Sequence, residues 1–217
     1  MKNIIFIAPP AAGKGTQSEW LKEKYNYEHI STGDLLREAI AEGTELGKRI
    51  DALIAGGNYV DDETMIALIK EKLSNNSNRP FILDGFPRTM NQVMALESLL
   101  DELNISKPIA IYLNIDSVEA EKRALGRIYC PKCKKGYNIY YEALKPKIDN
   151  ICDICGEKLL RRSDDNSESF KQRYITYIDN TLPIISYYKS KGILKEILVN
   201  KEASEIFKEI EQILSEE

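Results

Sequence analysis

The sequence lacks any apolar run approaching the roughly 20 residues of a membrane-spanning helix, which argues against an integral membrane protein. It also lacks an excess of positive charge, because 30 Lys and Arg against 34 Asp and Glu give a formal net charge of −4. This balance argues against a general nucleic-acid-binding surface, although it leaves a local basic site open. The 217 residues, 43% apolar and 29% charged, suit one good-sized globular domain with a substantial core.

Histidine is nearly absent, since His29 is the only one in the chain. It follows Glu28 at the end of a predicted strand, and nothing around it indicates a catalytic base. We interpret His29 as a packed or surface histidine.

Cysteine is confined to two C-x2-C pairs separated by eighteen residues. The four cysteines are Cys130, Cys133, Cys152 and Cys155. Two such knuckles can place four sulfurs tetrahedrally around Zn²⁺ at about 2.3 Å, whereas a redox C-x-x-C would need no second copy. No position is left for water, so the predicted zinc is structural. It would fold a lobe of about forty residues, too small to be stabilised by its own core.

The N-terminal stretch "IIFIAPPAAGKGTQ" (4–17) can be interpreted as a secretion signal or as a strand that leads into a loop. Four consecutive β-formers followed by proline and GKGT favour the strand. We therefore expect a cytoplasmic protein with reduced cysteines.

The loop after this strand predicts phosphate binding through Gly13, Lys14, Gly15 and Thr16. Backbone N–H groups at a helix N-terminus form an anion site, Lys14 would reach the β and γ phosphates, and Thr16 would supply a hydroxyl near Mg²⁺. The loop departs from G-x-x-x-x-G-K-[ST], because Ala8 occupies the first glycine position and Gly15 separates the lysine from Thr16. A glycine-rich turn with an incidental lysine is the alternative.

Short apolar runs alternate with amphipathic stretches, which predicts an α/β fold with a parallel sheet and right-handed crossovers. The predicted strands are 3–8, 27–30, 81–83, 109–115 and 193–199. The predicted helices include 15–24, 32–41, 62–74, 90–103, 117–125 and 203–215. Two stretches break the alternation: 31–60 predicts a helical insertion, and 127–164, rich in Cys, Tyr, Lys and Gly, predicts a small separate lobe.

Asp84, within "FILDGFPRT", is predicted to lie at the carboxyl end of a strand, where ligands bind in open parallel sheets. A carboxylate there can hold Mg²⁺ through water in a phosphoryl-transfer site. The alternative is a simple turn, since Asp-Gly and Phe-Pro both favour turns.

Six arginines lie near predicted element ends or lobe boundaries: Arg37, Arg88, Arg123, Arg127, Arg162 and Arg173. Arginine binds phosphate bidentately and stays charged, and several positioned cations can supply most of the catalysis of phosphoryl transfer without a general base. Taken singly, each arginine is more simply a solvated surface charge.

Five motifs, "AAGKGTQ", "STGDLLR", "DGFPRT", "LGR" and "RRSDD...R", occur in this order along the chain together with the cysteine array. Together they resemble the nucleoside monophosphate kinases, and specifically the long-lid adenylate kinases with a zinc-binding lid. The resemblance covers essentially the whole chain. It implies a P-loop three-layer fold, in which helices flank a parallel five-stranded sheet. The implied domains are a core of 1–30, 61–126 and 165–217, an AMP-binding insertion of 31–60 and a zinc-binding lid of 127–164.

The resemblance also implies roles for individual residues. ATP-binding residues would be Ala12, Gly13, Lys14, Gly15, Thr16, Arg123, Arg127, Tyr137 and Lys201. AMP-binding residues would be Thr32, Arg37, Gly57, Val60, Gly85, Arg88, Gln92, Arg162 and Arg173. The catalytic group would be Lys14, Asp84, Arg88, Arg123, Arg127, Arg162 and Arg173, while Asp164 and Asp165 match an acidic pair that helps hold the closed lid. Ala8, Ala11 and Ile128 depart from the family pattern, the first two replacing loop glycines and the third a lid-hinge arginine.

The implied reaction is phosphoryl transfer from MgATP to AMP, with ATP, AMP and ADP as the small-molecule partners. Mg²⁺ would accompany ATP and Zn²⁺ would be structural, and we expect a monomer with no nucleic-acid or membrane partner. A UMP or CMP kinase of the same fold is the near alternative, although those enzymes typically have a short lid without zinc. The sequence also leaves open GTP as donor, a zinc-ribbon module for nucleic acid and a catalytically inactive scaffold.

Overall fold

The structure is a computed structural model that describes residues 1–55, 59–76 and 79–216. Its helices and strands alternate over most of this length. In chain order they are β1 (Ile4–Ile7), α1 (Lys14–Tyr25), β2 (Glu28–Ser31), α2 (Thr32–Ala41), α3 (Glu45–Ala55), α4 (Asp62–Ser74), β3 (Phe81–Asp84), α5 (Met90–Glu102), β4 (Ile109–Asn114), α6 (Ser117–Gly126), β5 (Arg127–Tyr129), β6 (Gly136–Asn138), α7 (Ser167–Asn180), α8 (Leu182–Ser190), β7 (Leu194–Leu198) and α9 (Ala203–Ser215). A 3₁₀ turn, Glu142–Leu144, follows β6.

Five of the strands form one sheet in the order β2-β3-β1-β4-β7, and every pairing in it is parallel. β1 is buried along its whole length because helices cover both faces of the sheet. Alternate residues of β1 enter opposite cores: Ile5 and Ile7 join one apolar cluster, and Ile4 and Phe6 join the other. The predicted α/β fold with a five-stranded parallel sheet is confirmed.

Local sequence signals account for several helix starts. The Ser31 hydroxyl accepts from Asp34 N at 3.3 Å, and the Asp61 carboxylate accepts from Thr64 N at 2.8 Å, so each satisfies an N–H group that the helix leaves free. Thr89 caps α5 in the same way. Of the predicted helices, α2, α4 and α9 have the predicted bounds.

The region after α6 contains its own small antiparallel pair, β5 with β6. Its buried apolar cluster has five members: Ile128, Cys130, Tyr137, Cys152 and Leu159. Such a core is small, which is why a metal crosslink is expected to contribute to its stability. The domain boundaries given above stay a prediction.

Within the described ranges, no helix combines the length and the apolar character needed to cross a membrane.

Candidate active site

The phosphate loop connects the central strand β1 to α1. Gly13 is the N-cap of α1 with φ 98°, and Ala11 has φ 62°, so two residues of the loop adopt the left-handed region. Because Gly13 has no side chain with which to cap the helix, the N–H groups of the first turn are available to an anion.

Lys14 is held at the base of this loop, with its Nζ 3.4 Å from the Ala8 carbonyl oxygen. Burial and the positive charges of Arg88, Arg173 and Arg127 together lower the pKa of Lys14 to about 8, against the opposing effect of Asp84. A buried ammonium with a lowered pKa is a site that an anion would stabilise.

Asp84 ends β3, directly beside β1, where it pairs with Phe6. Burial raises the pKa of this carboxyl, but the hydrogen bond from His29 and the charge of Lys14 outweigh that effect and lower the pKa overall. A Cβ on Gly15 would lie 4.0 Å from Asp84 Oδ2, so the loop approaches the carboxylate closely. An ionised carboxylate at this place fits an Mg²⁺-associated role.

His29 was not predicted to belong to the site. Its side chain is packed, as expected, but its Nε2 lies 3.2 Å from Asp84 Oδ2 and its Nδ1 lies 3.1 Å from Glu19 Oε1. Burial lowers the pKa of His29, but the hydrogen bonds to the two carboxylates outweigh that effect and raise it to about 9. The contact forms because β2, which carries His29, pairs with β3, which ends in Asp84, and no sequence signal marks it.

A cavity extends from the phosphate loop toward α2. Many of the predicted residues line it: Lys14, Thr32, Arg37, Val60, Gly85, Arg88, Gln92, Arg173 and also Asp164. Gly57 lies outside the described residues, so its contact with AMP stays a prediction.

Gly85 and its neighbours shape one wall of the cavity. Gly85 has φ 81°, and a Cβ there would lie 2.7 Å from both Thr32 Oγ1 and Arg88 Nη2. Thr32 Oγ1 lies 3.0 Å from Gly85 O, and Arg88 Nε donates to the same carbonyl at 2.6 Å. Glycine is therefore required here on two grounds, backbone conformation and space.

Gln92 supports the same wall from α5. Its Oε1 accepts from Arg88 N at 2.7 Å, and its Nε2 donates to Asp62 Oδ1 at 2.7 Å. Both ends of the amide are thus used within the protein, which positions Arg88; the predicted AMP contact of Gln92 stays a prediction.

Two arginines predicted to bind phosphates are paired with Asp164, the last residue of the predicted lid, and Asp165, the residue that follows it. Arg127 makes two hydrogen bonds to Asp165, and Arg173 Nη1 donates to Asp164 Oδ2 at 2.6 Å. Burial lowers the pKa of Arg127, but Asp165 outweighs this effect and the pKa is raised.

Arg162 is different, because its buried Nε has no hydrogen-bond partner in the described part of the chain. Burial, followed by repulsion from Arg127 and Arg37, lowers the pKa of Arg162 to about 10. A buried donor without a partner is costly, and a phosphate oxygen is a group that would satisfy it.

Of the predicted ATP-binding residues, all of which the structure describes, Lys14 alone lines the cavity. Three of the others are engaged elsewhere in the protein. Arg123 Nε donates to Glu119 at 3.0 Å, Lys201 is paired with Glu209, and Tyr137 is buried in the lid cluster. Their contacts with ATP stay predictions.

The four cysteine sulfurs lie within 4.8 Å of one another. Cys130 Sγ is 3.5 Å from Cys155 Sγ, and Cys133 Sγ is 3.5 Å from Cys152 Sγ. These separations are too long for a disulfide and near the roughly 3.8 Å edge of a tetrahedron with Zn–S bonds of about 2.3 Å. The donor set therefore fits zinc.

The two knuckles have the same backbone. The residue four positions after each first cysteine, Lys134 or Gly156, is left-handed, with φ 63° or 72°. Its N–H donates to the carbonyl of that first cysteine, at 3.0 Å for Cys130 and 2.9 Å for Cys152. A hydrogen bond from Tyr137 lowers the pKa of the Cys152 thiol to about 6, which favours the thiolate that zinc requires.

Comparison with known proteins agrees with this geometry. The family model described as adenylate kinase matches residues 6–193. The adenylate kinase of Archaeoglobus fulgidus is 45% identical over 213 residues, which cover 98% of this chain and 97% of the relative. That of Methanosarcina acetivorans is 43% identical over 216 residues, covering 98% of each chain. That of Fervidobacterium nodosum is 42% identical over 213 residues, covering 98% of this chain and 97% of the relative. The match extends over the sheet, the cavity and the cysteine-bearing lobe alike, and the chain belongs to the adenylate kinase family.

Proposed function

We propose that the protein catalyses the reversible, Mg²⁺-dependent transfer of the γ-phosphoryl group from ATP to AMP, which gives two ADP. Family membership supports this reaction. The single structural observation that carries the proposal is one cavity lined by Lys14, Arg88 and Arg173 together. A donor phosphate at Lys14 and an acceptor phosphate at Arg88 would face each other across it.

The transfer needs little covalent chemistry from the protein. An oxygen of the AMP phosphate bonds to the γ-phosphorus, the bond from that phosphorus to the β–γ bridging oxygen breaks, and ADP leaves with the electron pair. Because the attacking oxygen is already anionic, no general base is required. Positioning two phosphates and stabilising the charge between them supplies the catalysis.

Mg²⁺ bound with ATP would neutralise charge that develops on the phosphates. In our proposal Asp84 would hold it through water, with the hydroxyl of Thr16 nearby. The lowered pKa of Asp84 supports this assignment, because the carboxylate stays ionised at neutral pH.

The remaining arginines are proposed to close around the phosphates. Arg127 and Arg173 would exchange their carboxylate partners for phosphate oxygens, and Arg162 would gain a partner for its unpaired Nε. We propose that residues 31–60 and 127–164 move as lobes that cover the nucleotides and exclude water, so that the phosphoryl group passes to AMP rather than to hydrolysis.

Zn²⁺ is proposed to bind Cys130, Cys133, Cys152 and Cys155 in a structural role, since all four tetrahedral positions are taken by sulfur. Free thiolates of this kind require a reducing compartment, and we propose the cytoplasm for that reason.

The proposal is tested by mixing the purified protein with MgATP and AMP, UMP or CMP in turn and following ADP production. We expect rapid turnover with AMP and far slower turnover with the two pyrimidine nucleotides. The Lys14→Met variant, purified in the same way, controls for contaminating kinases and is expected to lose at least about a hundredfold in kcat. No ADP production with any of the three acceptors would contradict the proposal. A preference for UMP or CMP would favour a UMP or CMP kinase of the same fold. Replacing ATP with GTP tests the specificity for the donor.

A further inference from the structure

Tyr59 is linked to Arg88 in two ways, one direct and one through Thr181. Its ring lies against the guanidinium, with Arg88 Cζ 4.9 Å from the ring centroid. Its hydroxyl lies 3.1 Å from Thr181 Oγ1, which in turn donates to the Arg88 backbone carbonyl at 3.0 Å. One tyrosine therefore reaches both the charged end and the backbone of the same arginine.

The donor and the acceptor in each of the hydrogen bonds that join Tyr59, Thr181 and Arg88 follow from the groups involved. A carbonyl oxygen only accepts, so the single hydroxyl hydrogen of Thr181 is used toward Arg88 O. Tyr59 must then donate to Thr181. Since Thr181 is only 4% exposed, an apolar side chain at position 59 would remove a partner from a buried hydroxyl.

The contacts leave Arg88 ready for a ligand. Arg88 Nε donates to Gly85 O, and Nη2 lies 3.4 Å from Thr32 Oγ1. The ring of Tyr59 covers one face of the guanidinium. A guanidinium carries five N–H donors in one plane, and a ring on its face consumes none of them. Within the part of the chain that the structure describes, the other Nη hydrogens have no protein partner, which leaves them for a ligand in the cavity that Arg88 lines.

Arg88 differs in this respect from its neighbours. Arg37, Arg127 and Arg173 are each paired with a carboxylate, which a phosphate would have to displace. Among the described residues no carboxylate pairs with Arg88, which is held instead by an aromatic face and a carbonyl. The Tyr59 ring stabilises the charge without neutralising it.

We propose that Tyr59 is a positioning residue for the acceptor nucleotide, which orients the Arg88 guanidinium toward the acceptor phosphate and, through Thr181, links the start of α4 to the start of α8. The inference rests on the proposed function, in which Arg88 binds the AMP phosphate. Tyr59 acts through Arg88 and takes no part in the chemistry itself.

The test uses variants that remove the two contacts separately. Tyr59→Leu removes ring and hydroxyl, Tyr59→Phe removes only the hydroxyl, and Thr181→Val removes the middle of the hydrogen-bonded chain while Thr181→Ser retains it. Titration calorimetry measures AMP and MgATP binding, each nucleotide alone, so that MgATP reports on the integrity of the fold.

We expect Tyr59→Leu to raise the Kd for AMP roughly threefold to thirtyfold, with the Kd for MgATP changed by less than about twofold. Tyr59→Phe and Thr181→Val should each raise the AMP value by about twofold to fivefold, and their combination should add little because the two groups share one chain of hydrogen bonds. Thr181→Ser should restore native AMP affinity.

A second readout is independent of nucleotide. The Arg88 Nε–H resonance of the nucleotide-free protein is assigned by its disappearance in Arg88→Lys. It is expected to shift and to exchange faster with water in Tyr59→Leu, and to change less in Tyr59→Phe. An unchanged resonance, unchanged AMP affinity, or equal weakening of AMP and MgATP would overturn the inference. A native chain that binds no AMP, yet whose Arg88 resonance responds to Tyr59, would instead contradict the proposed function.

Discussion

Arg127 donates to both carboxylate oxygens of Asp165, so that an arginine at the start of the cysteine-bearing region is bound to an acid at its end. The Asp165 side chain is fully buried and that of Arg127 is 22% exposed. The pair therefore closes the region 127–164 at its base, where the chain leaves and re-enters the rest of the protein.

Asp165→Asn is expected to lower the free energy of unfolding by about 3 kcal/mol, because it leaves a buried guanidinium without a compensating charge. Urea denaturation followed by circular dichroism measures this. Glu45→Gln is the matched control, since it breaks an exposed ion pair with Lys48 and should change stability by less than about 0.5 kcal/mol. Equal effects of the two substitutions would contradict the structural role of the pair.

MgATP binding is expected to take up protons at pH 8 through Lys14. Burial lowers the pKa of this lysine to about 8, so about half of the molecules carry it uncharged at that pH. Nearby phosphates favour the ammonium form of Lys14 and raise the pKa of this lysine. The terminal phosphate of ATP has a pKa of about 6 and is therefore already ionised at pH 8. Calorimetry in buffers of different ionisation enthalpy should give uptake of up to about half a proton, which Lys14→Met should abolish.

The lowered pKa of Lys14 also predicts that the stability of the nucleotide-free protein depends on pH. Its pKa is about 8 in the folded state against its ordinary value of 10.5, so between these values the unfolded state binds more protons. The free energy of unfolding contributed by this group therefore rises as pH increases through that window and is lowest below it. Lys14→Met should be more stable than the native chain at pH 7, and the difference should shrink at pH 9.5. A difference independent of pH would contradict the assignment.

How much of this could be predicted from the sequence depends on how local each signal is. α2 and α4 have the predicted bounds because their caps, Ser31 and Asp61, lie next to the helices that they start. α1 extends one residue beyond the predicted limits at each end and α6 one residue beyond at its C-terminal end, a difference within the usual uncertainty of helix ends.

Contacts between distant segments could not be predicted in this way. His29 reaches Asp84 only because β2 and β3 pair in one particular register, and Tyr59 reaches Arg88 only because the end of the helical stretch packs against the start of α8. Neither residue belongs to a recognisable motif. The resemblance identified residues that would touch nucleotides, whereas the side chains that position them became visible only in the packed structure.

Removal of zinc is expected to lower the melting temperature and to increase hydrogen exchange within residues 127–164. The apolar cluster there has only five buried members, so a bound metal is expected to supply much of its stability. Elemental analysis should give one zinc per chain, and Cys133→Ser should reduce this content. Lys132→Ala, between the cysteines of the first knuckle, is the control and should retain the metal. A melting temperature unchanged after complete removal of the metal would show that the zinc is not structural.

The phosphate loop gives the last prediction, which concerns the alanines at positions where the family usually has glycine. Ala11 adopts φ 62°, a conformation that costs an L-residue about 1–2 kcal/mol. Ala11→Gly should relieve this strain and, after the entropy that glycine adds to the unfolded chain, raise the free energy of unfolding by up to about 1 kcal/mol. The neighbouring Ala12 is buried and its φ is not positive, so Ala12→Gly should instead lower stability by about 0.5–1 kcal/mol.

If Ala11 fits the loop without obstructing phosphate, the MgATP affinity of Ala11→Gly should stay within about twofold of the native value, a change of less than about 0.4 kcal/mol. Tighter binding by an order of magnitude would show that the Ala11 methyl group intrudes on the phosphate site.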